Sequence, residues 1–216
     1  MKNQRKNEIE RRYVPAQELR AITDEDGLRH ITGYAVVFNS LSEDLGGFKE
    51  KVDPGTFTKT IKGNDIRALK NHNDDYVLGR NKSETLALTE DKHGLAVDII
   101  PPDTQWAKDL MISIDRGDID QMSFGFSTIS DRWETKDGIE IRTLEEVRLF
   151  DVSPVTFPAY PDTEVALRSL EQHRENAVPT AGDNGENVPM DVAAIAVEDG
   201  LYGKIHGIQQ EERTNE

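Results

Sequence analysis

Residues 121–126 read QMSFGF, a stretch in which large apolar side chains alternate with small ones. Successive side chains of an extended strand point to opposite faces, so this alternation predicts a strand with two different surfaces. One surface carries Met122, Phe124 and Phe126, and the other carries Ser123, Gly125 and Ser127. The first surface can anchor a core, and the second places a hydroxyl beside a residue that has no side chain. The stretch predicts either a nucleophile that a peptide backbone can approach closely or an ordinary amphipathic strand whose serines face water.

Composition limits the chemistry that this strand could perform. The 216 residues carry a formal net charge of -15, which disfavours nonspecific binding to nucleic acid or to anionic lipid. The chain has no cysteine, which excludes disulfides, thiolate metal sites and a cysteine nucleophile. Residues 1–12 are mostly charged and lack the apolar core of a signal peptide, and no apolar run approaches the ~18 residues of a membrane helix. We therefore expect a soluble intracellular protein.

The length of the chain suits one sizeable domain with tails, because domains usually span ~100–200 residues. Charged residues make up 31% of the chain and hydrophobic residues 36%, which indicates that part of it does not join a core. We expect a charged N-terminal arm over residues 1–11, a folded domain over residues 12–170 and an acidic flexible tail over residues 171–216. Within the tail, residues 171–188 read as a linker, and residues 189–207 read as a docking or self-cleavage segment with too little apolar surface for its own core.

Three clusters of turn residues predict hairpins in the folded domain. The first cluster, Asp24–Gly27, separates strand patterns over residues 12–22 and 29–38. The second, Asp91–Gly94, and the third, Lys136–Gly138, also end in glycine, contain an aspartate and lie between strand patterns. The domain should therefore be rich in short antiparallel strands.

Two helices are predicted among these strands. Asp53 followed by Pro54 resembles the start of a short helix, which Gly63 would end. A longer helix is predicted over residues 103–116, where Trp106 is the first of several apolar residues at helical spacing. Many short strands with few helices indicate an α+β, β-rich fold, either an antiparallel β-barrel or a sandwich with short helices around it.

His72 lies at the end of a strand pattern over residues 65–73, beside a polar turn expected at Asn73–Asp75. An unperturbed imidazole titrates near pH ~6.5, so a histidine at a strand end is well suited to proton transfer. The alternatives are a plain surface histidine and a metal site that His72 would form with Asp74 or Asp75. No second histidine at ligand spacing supports the metal site.

Asp151 lies within an apolar run from Val147 to Phe157 that predicts a buried strand. A carboxylate in such surroundings is costly unless it is paired, and the N–H of a histidine ring is a suitable partner. The alternative is a carboxylate that accepts hydrogen bonds from backbone amides at a bulge. Glu145 and Glu146 precede the apolar run and are expected to be solvated.

With these residues in view, the chain resembles the prohead, or procapsid maturation, proteases of tailed bacteriophages. The resemblance extends from Thr32 to Ser169 and rests on four stretches in the same order. These are GYAVVFN (Gly33–Asn39), NHN followed by Leu78 and Gly79, MSFGF, and LFDVSPVTFPAYPDT (Leu149–Thr163). It implies a serine protease with a β-barrel surrounded by helices, similar in fold to the herpesvirus assemblins. It also implies limited proteolysis of capsid or scaffold segments inside the assembling procapsid, in the host cell cytoplasm.

The resemblance implies a role for each candidate residue. Ser123 matches the nucleophile and His72 the general base, while the acid is Asp151 or, as the alternative, Glu146. The chemistry is coherent without the family, because a serine hydroxyl needs a base to take its proton and an acid to orient that base.

The expected partner is a major capsid protein or scaffold segment, and self-association and self-cleavage are further expectations. No cofactor, metal, nucleic acid or membrane is expected, and the competing function is a non-catalytic assembly or scaffolding protein.

Overall fold

The computed structural model describes residues 8–15, 18–157 and 163–177. Within these residues the chain forms mainly strands, which turns, loops and short helices connect. The strands are β1 (Glu10–Pro15), β2 (Arg20–Thr23), β3 (Arg29–Val37), β4 (Phe48–Val52), β5 (Arg67–Lys70), β6 (Asn73–Arg80), β7 (Leu86–Glu90), β8 (Gly94–Ile99), β9 (Gln121–Lys136) and β10 (Ile139–Val155). The helices are α1 (Thr58–Gly63), α2 (Gln105–Asp115) and α3 (Thr163–Ala177).

The hairpin of β9 and β10 is the centre of the larger sheet. The two strands pair from Lys136 and Ile139, beside the turn, to Gln121 and Val155 at the far end. The two turn residues, Asp137 and Gly138, have φ values of 53° and 77°. A two-residue turn of this type needs left-handed backbone at both positions, which explains the Asp-Gly pair. The hairpin predicted at Lys136–Gly138 is confirmed.

The larger sheet has six strands, with β1 beside β9 and with β4, β5 and β6 on the side of β10. β4 pairs in parallel with the first part of β10, and β5 pairs in parallel with its last part. The expectation of antiparallel pairing is therefore wrong at these two contacts. The reason is that α1 joins β4 to β5, so that the chain continues along β10 in the same direction.

The second sheet has the order β2–β3–β8–β7, and its strands are antiparallel. The turns predicted at Asp24–Gly27 and Asp91–Gly94 join β2 to β3 and β7 to β8, so both are confirmed. The single strand predicted over residues 12–22 is wrong, because β1 and β2 belong to different sheets. Glu18, with a φ of 65°, interrupts the extended chain between them.

The main core contains residues of both sheets and of α2. Met122, Phe124 and Phe126 are buried in it, as the alternation of residues 121–126 predicts. The helix predicted over residues 103–116 is confirmed as α2, and four of its side chains are buried: Ala107, Leu110, Met111 and Ile114. The β-rich class with short helices is thus confirmed. The described strands form two sheets and no closed barrel, so the predicted barrel is not confirmed.

The first helix begins later than predicted, at Thr58 instead of beside Pro54. Gly55 follows Pro54 with a φ of 94°, and Thr56 donates a backbone hydrogen bond to Asp53. Proline followed by left-handed glycine is the signature of a type II turn, so the Asp-Pro pair opens a turn at this point and not a helix.

A buried cluster of charged side chains joins β1 to β4 and β10. Nε of Arg12 donates to Glu50 at 2.9 Å, and Nη1 of Arg142 donates to Glu10 at 2.8 Å. Burial acts to raise the pKa of Glu10, but the charges of Arg142 and Arg12 outweigh burial and lower it to about 2. β1 begins at Glu10, so the end of the expected arm, residues 1–11, is a paired part of the sheet.

Residue 170, the expected end of the folded domain, lies inside α3. Leu170 packs in a small cluster with Leu45 and Phe48, and the ring of His173 stacks on Trp133 at 4.7 Å between centroids.

The predicted docking segment, residues 189–207, lies outside the described residues. In the part of the chain that the structure describes, no helix is long and apolar enough to cross a membrane.

Candidate active site

His72 occupies the two-residue turn of the β5–β6 hairpin. Lys70 pairs with Asn73 across this turn, and Asn71 and His72 both have a φ of 54°. Asparagine and histidine adopt such left-handed backbone more readily than most other residues. The turn predicted at Asn73–Asp75 is therefore wrong by position, since Asn73 already begins β6. The tight turn sets the backbone from which the His72 ring projects.

Asn71 fastens this turn to the end of β10. Its backbone N–H donates to the carbonyl of Pro154 at 3.0 Å. Its side-chain oxygen accepts from the backbone N–H of Thr156 at 2.8 Å, and its amide nitrogen lies 3.3 Å from the hydroxyl of the same residue. These contacts hold His72 beside the last residues of β10.

Ser123 lies on β9 with its side chain opposite the core face. Its Oγ lies 2.6 Å from Nε2 of His72 and 2.9 Å from the backbone carbonyl oxygen of Arg12. Ser123 and Ser127 are both buried, so the alternative in which these serines face water is wrong. The predicted contact between His72 and Ser123 is present in the structure.

Asp151 lies on β10, where it pairs with Gly125 of β9 next to a shift in strand register after Leu149. Its Oδ1 lies 2.5 Å from Nδ1 of His72. A Cβ atom at Gly125 would lie 2.3 Å from Oδ2 of Asp151. We expected the space at Gly125 to admit a substrate backbone, but it holds this carboxylate instead.

Ser153 is a fourth member of the site, and the sequence patterns did not single it out. Its hydroxyl donates to Oδ1 of Asp151 at 2.9 Å, and it accepts the backbone N–H of His72 at 3.3 Å. It thereby holds the carboxylate and the histidine backbone at once. The signal was present in the sequence, because residues 151 and 153 of one strand point to the same face.

Glu146, the alternative acid, lies elsewhere. Its carboxylate pairs with Nζ of Lys59 at 2.6 Å at the protein surface, and no contact joins it to His72. The structure thus brings together His72, Ser123 and Asp151 and leaves Glu146 apart.

The suggested metal site has no geometric support. Asp74 and Asp75 are exposed on β6, while both ring nitrogens of His72 are within hydrogen-bond distance of Ser123 and Asp151. Among the described residues, no group of three or more histidine, aspartate or glutamate side chains is arranged to hold a metal ion.

The hydrogen bonds define how the site can move a proton. An ionised Asp151 can only accept, so Nδ1 of His72 carries a proton and donates it to the carboxylate. Nε2 of the neutral ring is then an acceptor for the hydroxyl of Ser123. A hydroxyl that faces a neutral imidazole, with a carboxylate behind the ring, is the arrangement of a serine nucleophile with its general base.

Comparison with known proteins gives one match. No curated protein and no solved structure matches the chain significantly, so the expected likeness to herpesvirus assemblins stays a prediction. The family model described as caudovirus prohead serine protease matches residues 16–176. This region covers most of the chain and includes His72, Ser123 and Asp151. The chain therefore belongs to the caudovirus prohead serine protease family and is a serine protease.

Proposed function

We propose that this protein is an endopeptidase that cleaves capsid or scaffold protein segments during maturation of the phage procapsid. Ser123 is the nucleophile, His72 the general base and Asp151 the acid that orients it. The observation that carries the proposal is the continuous contact from Ser123 through His72 to Asp151, with distances of 2.6 and 2.5 Å.

The reaction follows from the direction of these hydrogen bonds. Nε2 of His72 takes the proton of Ser123 as Oγ attacks the carbonyl carbon of the scissile amide. Asp151 keeps the ring in the tautomer that can accept this proton and stabilises the imidazolium that results. The imidazolium then protonates the leaving amine, and water hydrolyses the acyl ester by the same route.

Two features support efficient proton transfer at this site. The side chains of His72 and Asp151 are only 7% and 11% exposed, so water competes little for their hydrogen bonds. Ser153 holds the carboxylate of Asp151 through a hydrogen bond, and the turn at Asn71 fixes the backbone of His72 against β10. Such positioning reduces the reorganisation that the reaction needs.

The family description, caudovirus prohead serine protease, supports capsid proteins as substrates and the interior of the assembling procapsid, in the host cytoplasm, as the site of action. Cleavage of the protease itself and self-association belong to the same proposal. The competing function, a scaffolding protein without catalysis, is not supported, because the chain belongs to a serine protease family.

The proposal is tested by mixing the purified full-length chain with the major capsid protein of the same phage and following cleavage by intact mass. We expect defined capsid fragments with the native chain. Ser123→Ala should lower kcat by about 10⁶-fold, the loss typical of a removed nucleophile. Unchanged cleavage by Ser123→Ala would refute the assignment of Ser123, and an inert native chain would refute the proposed substrate.

A further inference from the structure

The nucleophile is completely covered, and β1 covers it. Ser123 has 0% of its surface exposed. β1 runs antiparallel to β9 with Tyr13 opposite Ser123 and Arg12 opposite Phe124. The carbonyl oxygen of Arg12 lies 2.9 Å from Oγ of Ser123. No other peptide can reach Ser123 along this edge of β9 while β1 is in place.

β1 is placed on the sheet as an added peptide would be. It is the outermost strand of its sheet and pairs with β9 alone. Peptide ligands commonly bind in this way, as an extra strand on an open sheet edge. The region that matches the prohead protease family starts at residue 16, directly after β1. The matched region therefore contains the nucleophile strand but not the strand that covers it.

The carbonyl of Arg12 is the group of β1 that contacts the hydroxyl of Ser123. The C=O bond is about 1.23 Å long, so a hydroxyl in contact with the oxygen is also close to the carbon. The hydroxyl has one proton, which it can donate either to Arg12 or to Nε2 of His72. When the hydroxyl donates to His72, Oγ is free to leave the carbonyl oxygen and approach the carbonyl carbon, and attack requires a distance of about 3–3.5 Å.

The side chain of Arg12 is recognised by the protease domain. Its guanidinium donates to both carboxylate oxygens of Glu50, at 2.9 and 3.3 Å, and the Arg12 side chain is 7% exposed. Such two-point contacts are the strong and specific form of the arginine–carboxylate pair. Arg11, its neighbour, is exposed. Because side chains alternate along a strand, Arg11 belongs to the opposite face of β1 from Arg12.

The site that holds the Arg12 guanidinium would still attract a cation after removal of β1. Removal of β1 takes away Glu10 and Arg12 together and leaves two carboxylates, Glu50 and Asp131, around the single guanidinium of Arg142. The remaining charge is negative and deeply buried, so it favours a basic side chain that enters with a new strand.

We propose that β1 is bound as the first substrate of this protease, with Arg12–Tyr13 as its scissile bond. Capsid-protein substrates then take the place of β1, each as an extended strand beside β9 with a basic residue in the position of Arg12. This inference rests on the proposed function, and it adds the site of self-cleavage and the preferred residue before the cut.

The cleavage step balances as an ordinary acyl transfer. Oγ of Ser123 forms an ester with the carbonyl carbon of Arg12, and the bond from that carbon to the nitrogen of Tyr13 breaks. The proton of Ser123 passes through His72 to the new amine of Tyr13. Water then splits the ester, which restores Ser123 and releases residues 1–12 with a carboxylate at Arg12.

The first test uses the full-length chain alone, incubated and followed by intact mass and N-terminal sequencing. We expect a new N-terminus at Tyr13 in the native chain and none in Ser123→Ala. Arg11→Ala and Arg12→Ala form a matched pair, since each removes one of two adjacent arginines. Arg12→Ala should slow the cleavage about tenfold or more, because it removes one partner of a buried charge pair, while Arg11→Ala should leave the rate nearly unchanged.

The second test does not depend on how these variants fold. A synthetic peptide of residues 8–17 (EIERRYVPAQ) is added to the native chain, together with the same peptide carrying either Arg11→Ala or Arg12→Ala. We expect cleavage between Arg12 and Tyr13 in the unchanged peptide and in the Arg11→Ala form. The Arg12→Ala form should be cut about tenfold more slowly. The Ser123→Ala protein serves as the control for contaminating proteases.

The outcomes separate this inference from the proposed function. If the native chain keeps its N-terminus and leaves the peptide intact, yet cuts the capsid protein in a Ser123-dependent way, the inference is wrong and the function stands. Cleavage after Arg11, or equal rates for the two peptide variants, also overturns the inference. If the native chain cuts none of the three substrates, which are the chain itself, the peptide and the capsid protein, both the inference and the proposed function are wrong.

Discussion

Asp151 is the residue on which the assignment of the acid depends. Asp151→Asn keeps the size of the side chain but allows the amide to favour the wrong tautomer of His72, so we expect kcat to fall by about 10⁴-fold with the fold intact. Steady-state cleavage of the capsid protein measures this loss. Circular dichroism of the same sample shows whether the fold is retained.

The matched control is Glu146→Gln, which makes the same chemical change in the other candidate acid. Glu146 pairs with Lys59 at the surface, so we expect activity within about twofold of the native chain. A large loss in Glu146→Gln with little loss in Asp151→Asn would reverse the assignment.

Gly125 gives a second test at the scale of a residue. The added methyl of Gly125→Ala would lie 2.3 Å from Oδ2 of Asp151, so the carboxylate must move away from its present place. A misplacement of about 1 Å in an active site can cost about 10²-fold, and we expect a fall in kcat of that order.

Gly63→Ala controls for the loss of a glycine, because no atom lies within 4 Å of a Cβ built at Gly63. Its activity should equal that of the native chain. Full activity in Gly125→Ala would show that the position of Asp151 does not matter for the reaction.

How far the site could be predicted differs from residue to residue. His72, Ser123 and Asp151 carry reactive groups beside apolar strands, and this contrast is visible in the sequence. Ser153 shares a strand face with Asp151, which is a local signal, but its contact with His72 spans 81 residues. Asn71 acts on Thr156, 85 residues away, so no local pattern marks it. Gly125 was singled out, but only the structure shows that its space holds the carboxylate of Asp151.

Among the elements, the β2–β3 hairpin carries a pH-sensitive contact. His30 of β3 has Nδ1 2.7 Å from Asp98 of β8 and Nε2 3.3 Å from Asp24 in the turn. The hydrogen bond to Asp98, more than the opposing effect of burial, raises the pKa of His30 above its usual 6.5. A raised pKa in the folded state stabilises the fold fully below pH 6.5, and this stabilisation is lost as the pH rises through the folded-state value.

We therefore expect the free energy of unfolding to fall as the pH rises above 6.5, measured by urea denaturation in the Ser123→Ala background, where self-cleavage cannot interfere. Asp98→Asn removes the largest cause of the raised pKa and should flatten this part of the pH profile. An equally steep profile in Asp98→Asn would assign the effect to other groups.

Elements set by local signals were predicted well, and elements set by distant partners were not. The Asp-Gly turn of the β9–β10 hairpin needs only its own two residues. In contrast, the first two residues of β1, Glu10 and Arg11, read as the end of a charged arm, because the burial of Glu10 depends on Arg142 of β10. The parallel pairing of β4 and β5 with β10 is likewise a long-range choice that no short pattern reveals.

At the scale of the whole molecule, the extent of the folded domain can be tested by two truncations. Removal of residues 179–216 leaves α3 whole and should not change the melting temperature or the activity. Removal of residues 171–216 also deletes the last part of α3 with His173, whose ring stacks on Trp133. We expect the second truncation to lower the free energy of unfolding by about 1 kcal/mol or more. Equal stability of the two truncated chains would place the end of the domain at residue 170.

The distance along the chain between β1 and its partner β9 also limits how early the protease can become active. Ser123 follows Arg12 by 111 residues, so at about 5–20 residues per second the ribosome needs roughly 6–22 s to deliver the nucleophile after β1 has been made. Asp151 is translated later still. The chain thus cannot cut anything before Asp151 has been made, so nascent capsid proteins on other ribosomes are safe from it until nearly the whole domain has emerged.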